Sequence, residues 1–219
     1  MTDKTDQMAA KGFCSGPGKT NPNREFCYNN CDYLVLGAAL EAVTGQDFET
    51  LVKQKLNQGL GLKSVGLAKP DAPKVKGYDG AKPYPRIYAS TFGASAAMQG
   101  SAADMVRFDR ALLGDTLLKA QEKALAWTGD PTLGYEALGV WAFQAELRGC
   151  SGPVDLVERR GDLGGIQVRN ILAPGQGRAL AVFTNDATVD FGEIWQGQGL
   201  TYELLSAAFC EGGDLPQAN

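Results

Sequence analysis

Tyr28 and Asn30 stand one residue apart in FCYNNCDYLVLGAALEAVTG, Phe26 to Gly45, just ahead of a helical pattern. A phenol and a carboxamide on the loop that opens a packed helix can present a hydroxyl and an amide into one cleft. Tyrosine normally titrates near pH ~10, so it acts as a base only beside fixed positive charge. The purely structural reading of the same residues is a capped helix with an aromatic staple. Ser15 to Thr20, SGPGKT, ends like a phosphate-binding loop. Phe13 stands where that loop requires glycine, however, and Asn21-Pro22 would interrupt the helix that should hold the phosphate. These departures argue against nucleotide binding. Cys14, Cys27 and Cys31 gather three of the 5 cysteines, the others being Cys150 and Cys210. A second close pair is missing, and without histidine four metal ligands cannot be completed, so buried thiols or one or two disulfides explain them better than a metal. The odd count leaves at least one thiol free or intermolecular if the others pair.

The composition narrows the remaining chemistry. The chain has 219 residues, 44% hydrophobic and 21% charged, enough for one globular domain, or one and a small appendage. It contains 0 histidines, which excludes Ser-His-Asp and Cys-His catalysis and leaves Lys, Tyr, Asp, Glu, Ser and Cys to do any chemistry. With 21 basic and 25 acidic residues and no basic run longer than a pair such as Arg159-Arg160, nucleic acid and anionic membrane are poor partners. The longest apolar stretch, Leu34 to Val43, is half of the roughly 20 residues a membrane span requires. The start, MTDKTDQMAAKG, lacks the charged-then-apolar order of a signal peptide.

The elements that must position these residues follow from periodicity. Tyr33, Leu36, Leu40 and Val43 fall at helical spacing, with Asn30 and Asp32 as caps and Thr44-Gly45 as the stop. A second helix runs from Asp47 through Phe48, Leu51, Val52, Lys55 and Leu56 to Gly59 and Gly61. Ala68 to Ile87, with Pro70, Pro73, Pro83, Pro85 and four lysines, reads as a long irregular excursion, either functional or disordered. Ser101-x-x-Asp104 resembles a capping box ahead of Met105, Phe108 and Leu112, and a short helix follows around Leu117 to Trp127. Leu138 to Leu147, Val154 to Arg159, Ile166 to Leu172 and Leu180 to Thr184 then read as strands. Ile194 to Phe209 closes the chain as a helix with Leu204, Leu205, Ala208 and Phe209 in helical spacing. Helices, a meander of strands and a closing helix describe an α+β domain with an antiparallel sheet.

In this order the residues resemble the class C β-lactamase-related serine hydrolases, which include penicillin-binding D-alanyl-D-alanine peptidases and esterases. Tyr28 and Asn30 with Tyr33, Leu36, Gly37, Glu41, Val43, Thr44 and Gly45 match the family's Tyr-x-Asn motif and its helix. GLGLKSVGL, Gly59 to Leu67, looks like the stretch after the next helix, and MQGSAADMVRFDRALL, Met98 to Leu113, like the family's Gly-x-Ser-x-x-Asp-x-x-x-Phe helix, with Gly100 directly before Ser101 here. LGVWAF resembles its Leu-Gly-x-Trp strand, ERRGDLGGI, Glu158 to Ile166, stands at the third motif, and ALAVFTN, Ala179 to Asn185, is the strand after it. The likeness covers about Phe26 to Phe209.

The resemblance implies a β-lactamase/transpeptidase-like fold, an antiparallel sheet flanked by helices. It also implies acyl transfer on a small-molecule or peptide amide or ester, with no cofactor and no metal. Tyr28 and Asn30 take the catalytic positions, and Arg159, Gly161, Gly164 and Gly165 the substrate-binding ones. Acyl specificity would reside in the loop from Ala68 to Ile87 and in the part of the family domain that this sequence lacks. The organisation expected is an irregular lead over 1–25, a partial domain over 26–210 (helical to about 130, sheet and closing helix from about 135) and a tail over 211–219.

Two departures matter. The family's nucleophile lies in Ser-x-x-Lys upstream of Tyr-x-Asn, yet none of Ser15, Ser64, Ser90, Ser95, Ser101, Ser151 and Ser206 is followed by lysine at that spacing. Thr50-x-x-Lys53 and Thr116-x-x-Lys119 have the spacing but lie downstream of Tyr28. The chain is therefore expected to be N-terminally incomplete and inactive alone. The alternative is a non-catalytic relative that keeps the cleft as a receptor for a peptide- or β-lactam-like ligand. The second departure is Arg159, where the family places Lys or His. Its planar, permanently charged fork can bind a carboxylate bidentately and bias Tyr28 towards phenolate but cannot shuttle a proton; alternatively, it is a strand-end arginine paired with Glu158 or Asp162. A missing leading part would leave a sheet edge and an apolar face uncovered, and hence self-association. The family is often periplasmic or secreted, which leaves the compartment open.

Overall fold

The computed structural model describes residues 14, 26–70 and 75–210; the rest of the expected lead, the SGPGKT stretch and the expected tail lie outside the described residues. In chain order the elements are α1 (Cys31–Thr44), α2 (Phe48–Val52), β1 (Gly66–Leu67), β2 (Tyr78–Asp79), β3 (Lys82–Pro83), β4 (Met98–Gln99), α3 (Ala102–Leu113), α4 (Ala120–Ala126), β5 (Trp141–Ala145), β6 (Val154–Leu163), β7 (Ile166–Ala173), β8 (Arg178–Thr184) and α5 (Leu200–Phe209). This is the α+β architecture expected. No helix of the described residues is long and apolar enough to cross a membrane. The chain packs as two units. One holds the described residues up to Lys76 together with Tyr84–Phe108, the other Gly77–Pro83 and the described residues from Asp109 onward.

In the first unit α1 stops at Gly45, whose left-handed φ of 69° turns the chain while its N–H donates to Glu41 O at 2.8 Å. Neither expected cap closes its start. Asn29 Oδ1 accepts the Asp32 N–H at 3.0 Å, and the Asn30 side chain makes no cap bond. α2 begins at Asp47, which accepts the Thr50 N–H at 2.7 Å, and continues as a π-helix over Lys53–Gln58. Gly37 is the buried contact of α1, because a Cβ there would lie 2.5 Å from Ala94 Cβ. The other face carries Val35, Leu36, Leu40 and Val43, all exposed, with Val43 86% accessible. Asp104 ties the unit together. Its carboxylate accepts the backbone N–H groups of Lys63 (2.9 Å) and Ser64 (2.6 Å) and the Ser64 hydroxyl (2.6 Å), while Ser101 Oγ accepts the Asp104 N–H at 3.2 Å. The Ser64 bonds, with Arg107 and Lys63, outweigh its desolvation and hold this acid well below the usual carboxylate range. Only half of the expected capping box forms, because the acid reaches across the chain instead of back to its own helix start.

The second unit is built on a four-stranded antiparallel sheet in the order β5-β6-β7-β8. β6 runs four residues further than its sequence suggested. Gly161 and Asp162 are poor strand formers, but the two-residue turn Gly164-Gly165 lets the hairpin close at Leu163 opposite Ile166. One face, with Val154, Leu156, Ile171 and Ala173, packs on Ile194, Tyr202, Leu205 and Phe209, and Cys150–Cys210 bridges this region. α5 is shorter than expected and turned slightly. Its buried stripe is Thr201, Tyr202, Leu205, Ser206 and Phe209, leaving Ala208 exposed. The other face, with Ala142, Val157 and Leu172, packs on Leu112, Leu113 and Trp127 from the α3 and α4 side. Within the 68–87 excursion the structure forms the β2–β3 hairpin. Tyr78 donates to Asn185 O at 2.7 Å and accepts from Ala187 N at 2.8 Å, just past the end of β8. Along Arg178–Thr184 itself, among the described residues, β8 pairs with β7 alone.

Candidate functional site

Tyr28 and Asn30 are brought together on the loop that opens α1. Because Asn29 caps the helix, the Asn30 carboxamide remains available, and its Oδ1 accepts the Tyr28 hydroxyl at 3.3 Å. Both side chains are exposed, Tyr28 at 60%. A disulfide joins Cys14 to Cys31, the first residue of the helix, and Cys27, beside Tyr28, is a free and exposed thiol. Two disulfides and a free cysteine thus resolve the cysteine alternatives.

Arg159, Gly161, Gly164 and Gly165 lie in the second unit, on the last half of β6 and its turn. Successive strand residues face opposite ways, so Arg159 and Arg160 project to different sides of the sheet. Arg159 stands opposite Asn170, with its guanidinium carbon 5.6 Å from the Trp141 ring. Burial raises the Glu136 carboxyl above its ordinary range, and the charge of Arg159 opposes that rise. Glu158 is not the partner of Arg159. Both of its oxygens are taken by Arg160, at 2.8 Å from Nε and 3.0 Å from Nη2, because residues two apart share a strand face.

The glycines differ in what they require. Gly164 (φ 63°) and Gly165 (φ 79°) occupy the two left-handed positions of a type I′ turn, which accounts for both. Gly77 comes so close to this turn that a Cβ on it would lie 1.8 Å from Gly164 O. Gly161 is under no such constraint. A Cβ there would meet only Val168 Cβ at 3.8 Å, an ordinary contact, and the residue is exposed. A mid-strand glycine that packing does not demand costs stability and leaves a stretch of backbone bare.

The sequence reading missed the cluster behind Arg159. Arg160 is bound by Glu158, 1% exposed at its side chain, and by Glu193 (Nη1 to Oε1 3.0 Å), and lies between the rings of Trp141 (5.7 Å) and Trp195 (5.6 Å). Burial alone would lower this guanidinium's pKa, but its hydrogen bonds to the two glutamates outweigh that and raise it. The available signal was the i, i+2 alternation of Glu158 and Arg160. Among the described residues no group of three His, Cys, Asp or Glu side chains could hold a metal ion.

Against known proteins, the profile of the family described as Beta-lactamase matches residues 3–202. No curated protein matches. The solved structures of similar fold include a penicillin binding protein from Bacillus halodurans, 21% identical with a TM-score of 0.71 over 85% of this chain and 60% of that one. A D-stereospecific amidohydrolase from Streptomyces sp. is 21% identical with a TM-score of 0.68 over 87% of this chain and 56% of its own. A D-amino acid amidase from Ochrobactrum anthropi SV3, 20% identical with a TM-score of 0.67, covers 89% of this chain and 60% of its own. The chain thus spans between half and two thirds of the length of these structures.

Proposed function

The chain belongs to the β-lactamase family, and on that premise we propose that it is a serine hydrolase relative that presents the substrate-orienting residues of an acyl-transfer site and does not turn over amides or esters by itself. One observation carries the reading: none of the chain's serines is followed three residues later by lysine. In acyl transfer a nucleophile attacks the carbonyl carbon, a base takes its proton, and two N–H donors hold the developing oxyanion. Tyr28 and Asn30 fill the Tyr-x-Asn positions, with the phenol already hydrogen-bonded to the amide. Arg159 supplies a fixed cation for a ligand carboxylate, and Gly161 keeps the strand backbone bare beside it. By the family's pattern the second oxyanion donor is assigned to the strand end around Gly164 and Gly165, which lie on the β6–β7 turn. The attacking hydroxyl and its lysine have no counterpart in the sequence.

The test is a fluorophosphonate or a chromogenic β-lactam mixed with the chain, read by intact mass and absorbance. The reading expects no stoichiometric serine adduct and no hydrolysis. A stoichiometric adduct on any serine overturns it.

A further inference from the structure

Asp109, on the second half of α3, is fully buried, and Asn170 on β7 is 8% exposed. The Asn170 Nδ2 donates to Asp109 Oδ1 at 2.8 Å. That single bond leaves two buried oxygens without a donor among the described residues, Asp109 Oδ2 and Asn170 Oδ1. An ionised carboxylate has only acceptors to offer, and so has the carbonyl end of a carboxamide. In a coplanar acid–amide pair the second oxygen of each group comes opposite that of the other. In that arrangement one proton would satisfy both, Oδ2–H of Asp109 donating to Asn170 Oδ1 while Nδ2–H of Asn170 donates to Asp109 Oδ1.

We infer that in mildly acidic solution Asp109 is a neutral carboxylic acid, closing a two-bond ring with the Asn170 carboxamide that fastens α3 to β7 and loses one bond when the proton leaves. Independent support comes from the electrostatics. Burial pushes the Asp109 carboxyl up to about 6, opposed by the Asn170 bond. The charged groups on the surrounding elements are Asp155, Glu158, Arg159, Arg160 and Asp162 on β6, Arg169 on β7, Arg178 on β8, Glu122 and Lys123 on α4 with Lys119 just before it, and Asp104, Arg107 and Arg110 on α3 itself; β5 carries none. None of them is a cause of the shift, which burial and Asn170 set. Arg169 stacks on Phe191 at 4.6 Å, Arg178 reaches Ala208 O, Lys123 reaches Leu113 O and Asp115, and Arg107 holds Asp104. Asn170 stands directly opposite Arg159, which places this pH-sensitive latch one strand from the proposed carboxylate-binding residue.

The sign follows from the raised value. The stability this group contributes is complete below its ordinary value of 3.8 and is lost as pH rises through about 6. Asp109→Asn replaces the acid O–H with an amide N–H, which keeps both ring bonds at every pH. Two measurements test the inference on the full chain: the ¹³Cγ titration of Asp109 in aspartate-labelled protein, and the folding equilibrium of wild type and D109N between pH 4 and pH 8. The expected midpoint is near 6, and the ratio of the two folding constants should shift about 100-fold in favour of D109N across that range. A midpoint near 4, or parallel pH profiles for the two proteins, overturns the inference. If D109N does not fold, the wild-type titration, assigned through bonds, decides it.

Discussion

Arg160→Leu is the substitution whose cost the structure defines most closely. Glu158 is 1% exposed at its side chain and both its oxygens are bonded to Arg160, so the variant strands a carboxylate in the sheet's packed face. Removing one partner of a buried pair costs about 3–5 kcal/mol, mostly from the uncompensated charge left behind. Two features place the cost at the lower end. Arg169 stands opposite Arg160 in the β6–β7 register and already feels the charge of Glu158, so it can compensate in part. Glu193, 34% exposed, regains water and adds at most about 1 kcal/mol. The sum is about 3 kcal/mol, which for a chain of this length lowers Tm by roughly 6–12 °C. The assay is urea and thermal unfolding at pH 7, followed by tryptophan fluorescence because Trp141 and Trp195 flank the guanidinium. In the companion variant, Glu158→Leu with Arg160→Met, the charge and its partner leave together, and most of the loss should be recovered. A cost below about 1 kcal/mol for Arg160→Leu, or a double variant no more stable than the single one, would refute the reasoning.

The glycines give opposite expectations. Gly77→Ala places a Cβ 1.8 Å from Gly164 O and should destabilise the chain by more than about 2 kcal/mol, measured by denaturant midpoint; a neutral result would mean that the β6–β7 turn can yield. Gly161→Ala meets no obstacle and should stabilise by about 0.5–1 kcal/mol while weakening any acyl ligand seated on β6; unchanged affinity in calorimetry would remove that glycine from the site. The exposed α1 face, and the β8 edge that pairs with no other strand among the described residues, predict self-association at micromolar concentration. Leu40→Lys with Val43→Glu, on exposed positions, should reduce it in light scattering at a stability cost below about 1 kcal/mol. A wild-type chain that is already a monodisperse monomer would contradict that expectation.

Much of the fold was legible because periodicity and turn chemistry are local. The spacing of Tyr33, Leu36, Leu40 and Val43 with Gly45 marks α1, although the exposed Leu36, Leu40 and Val43 show that this stripe faces out and Gly37 faces in. Apolar spacing identifies a helix, but which side is covered depends on what packs against it. The same limit applies to α3. Met105, Phe108 and Leu112 fall at helical spacing, but the fully buried positions are Asp104 and Asp109, whose partners Ser64 and Asn170 lie far off in sequence. Tyr28 and Asn30 were found because their motif is contiguous. The Arg160 cluster needed Glu193, brought in by folding of the segment ahead of α5, and no local pattern announces it.

The central claim is that no serine of this chain can be acylated. Intact-mass analysis after incubation with excess fluorophosphonate, repeated with a chromogenic β-lactam, tests this directly. The account predicts an unshifted mass and no hydrolysis; one probe mass added per chain, mapped to a serine, would contradict it.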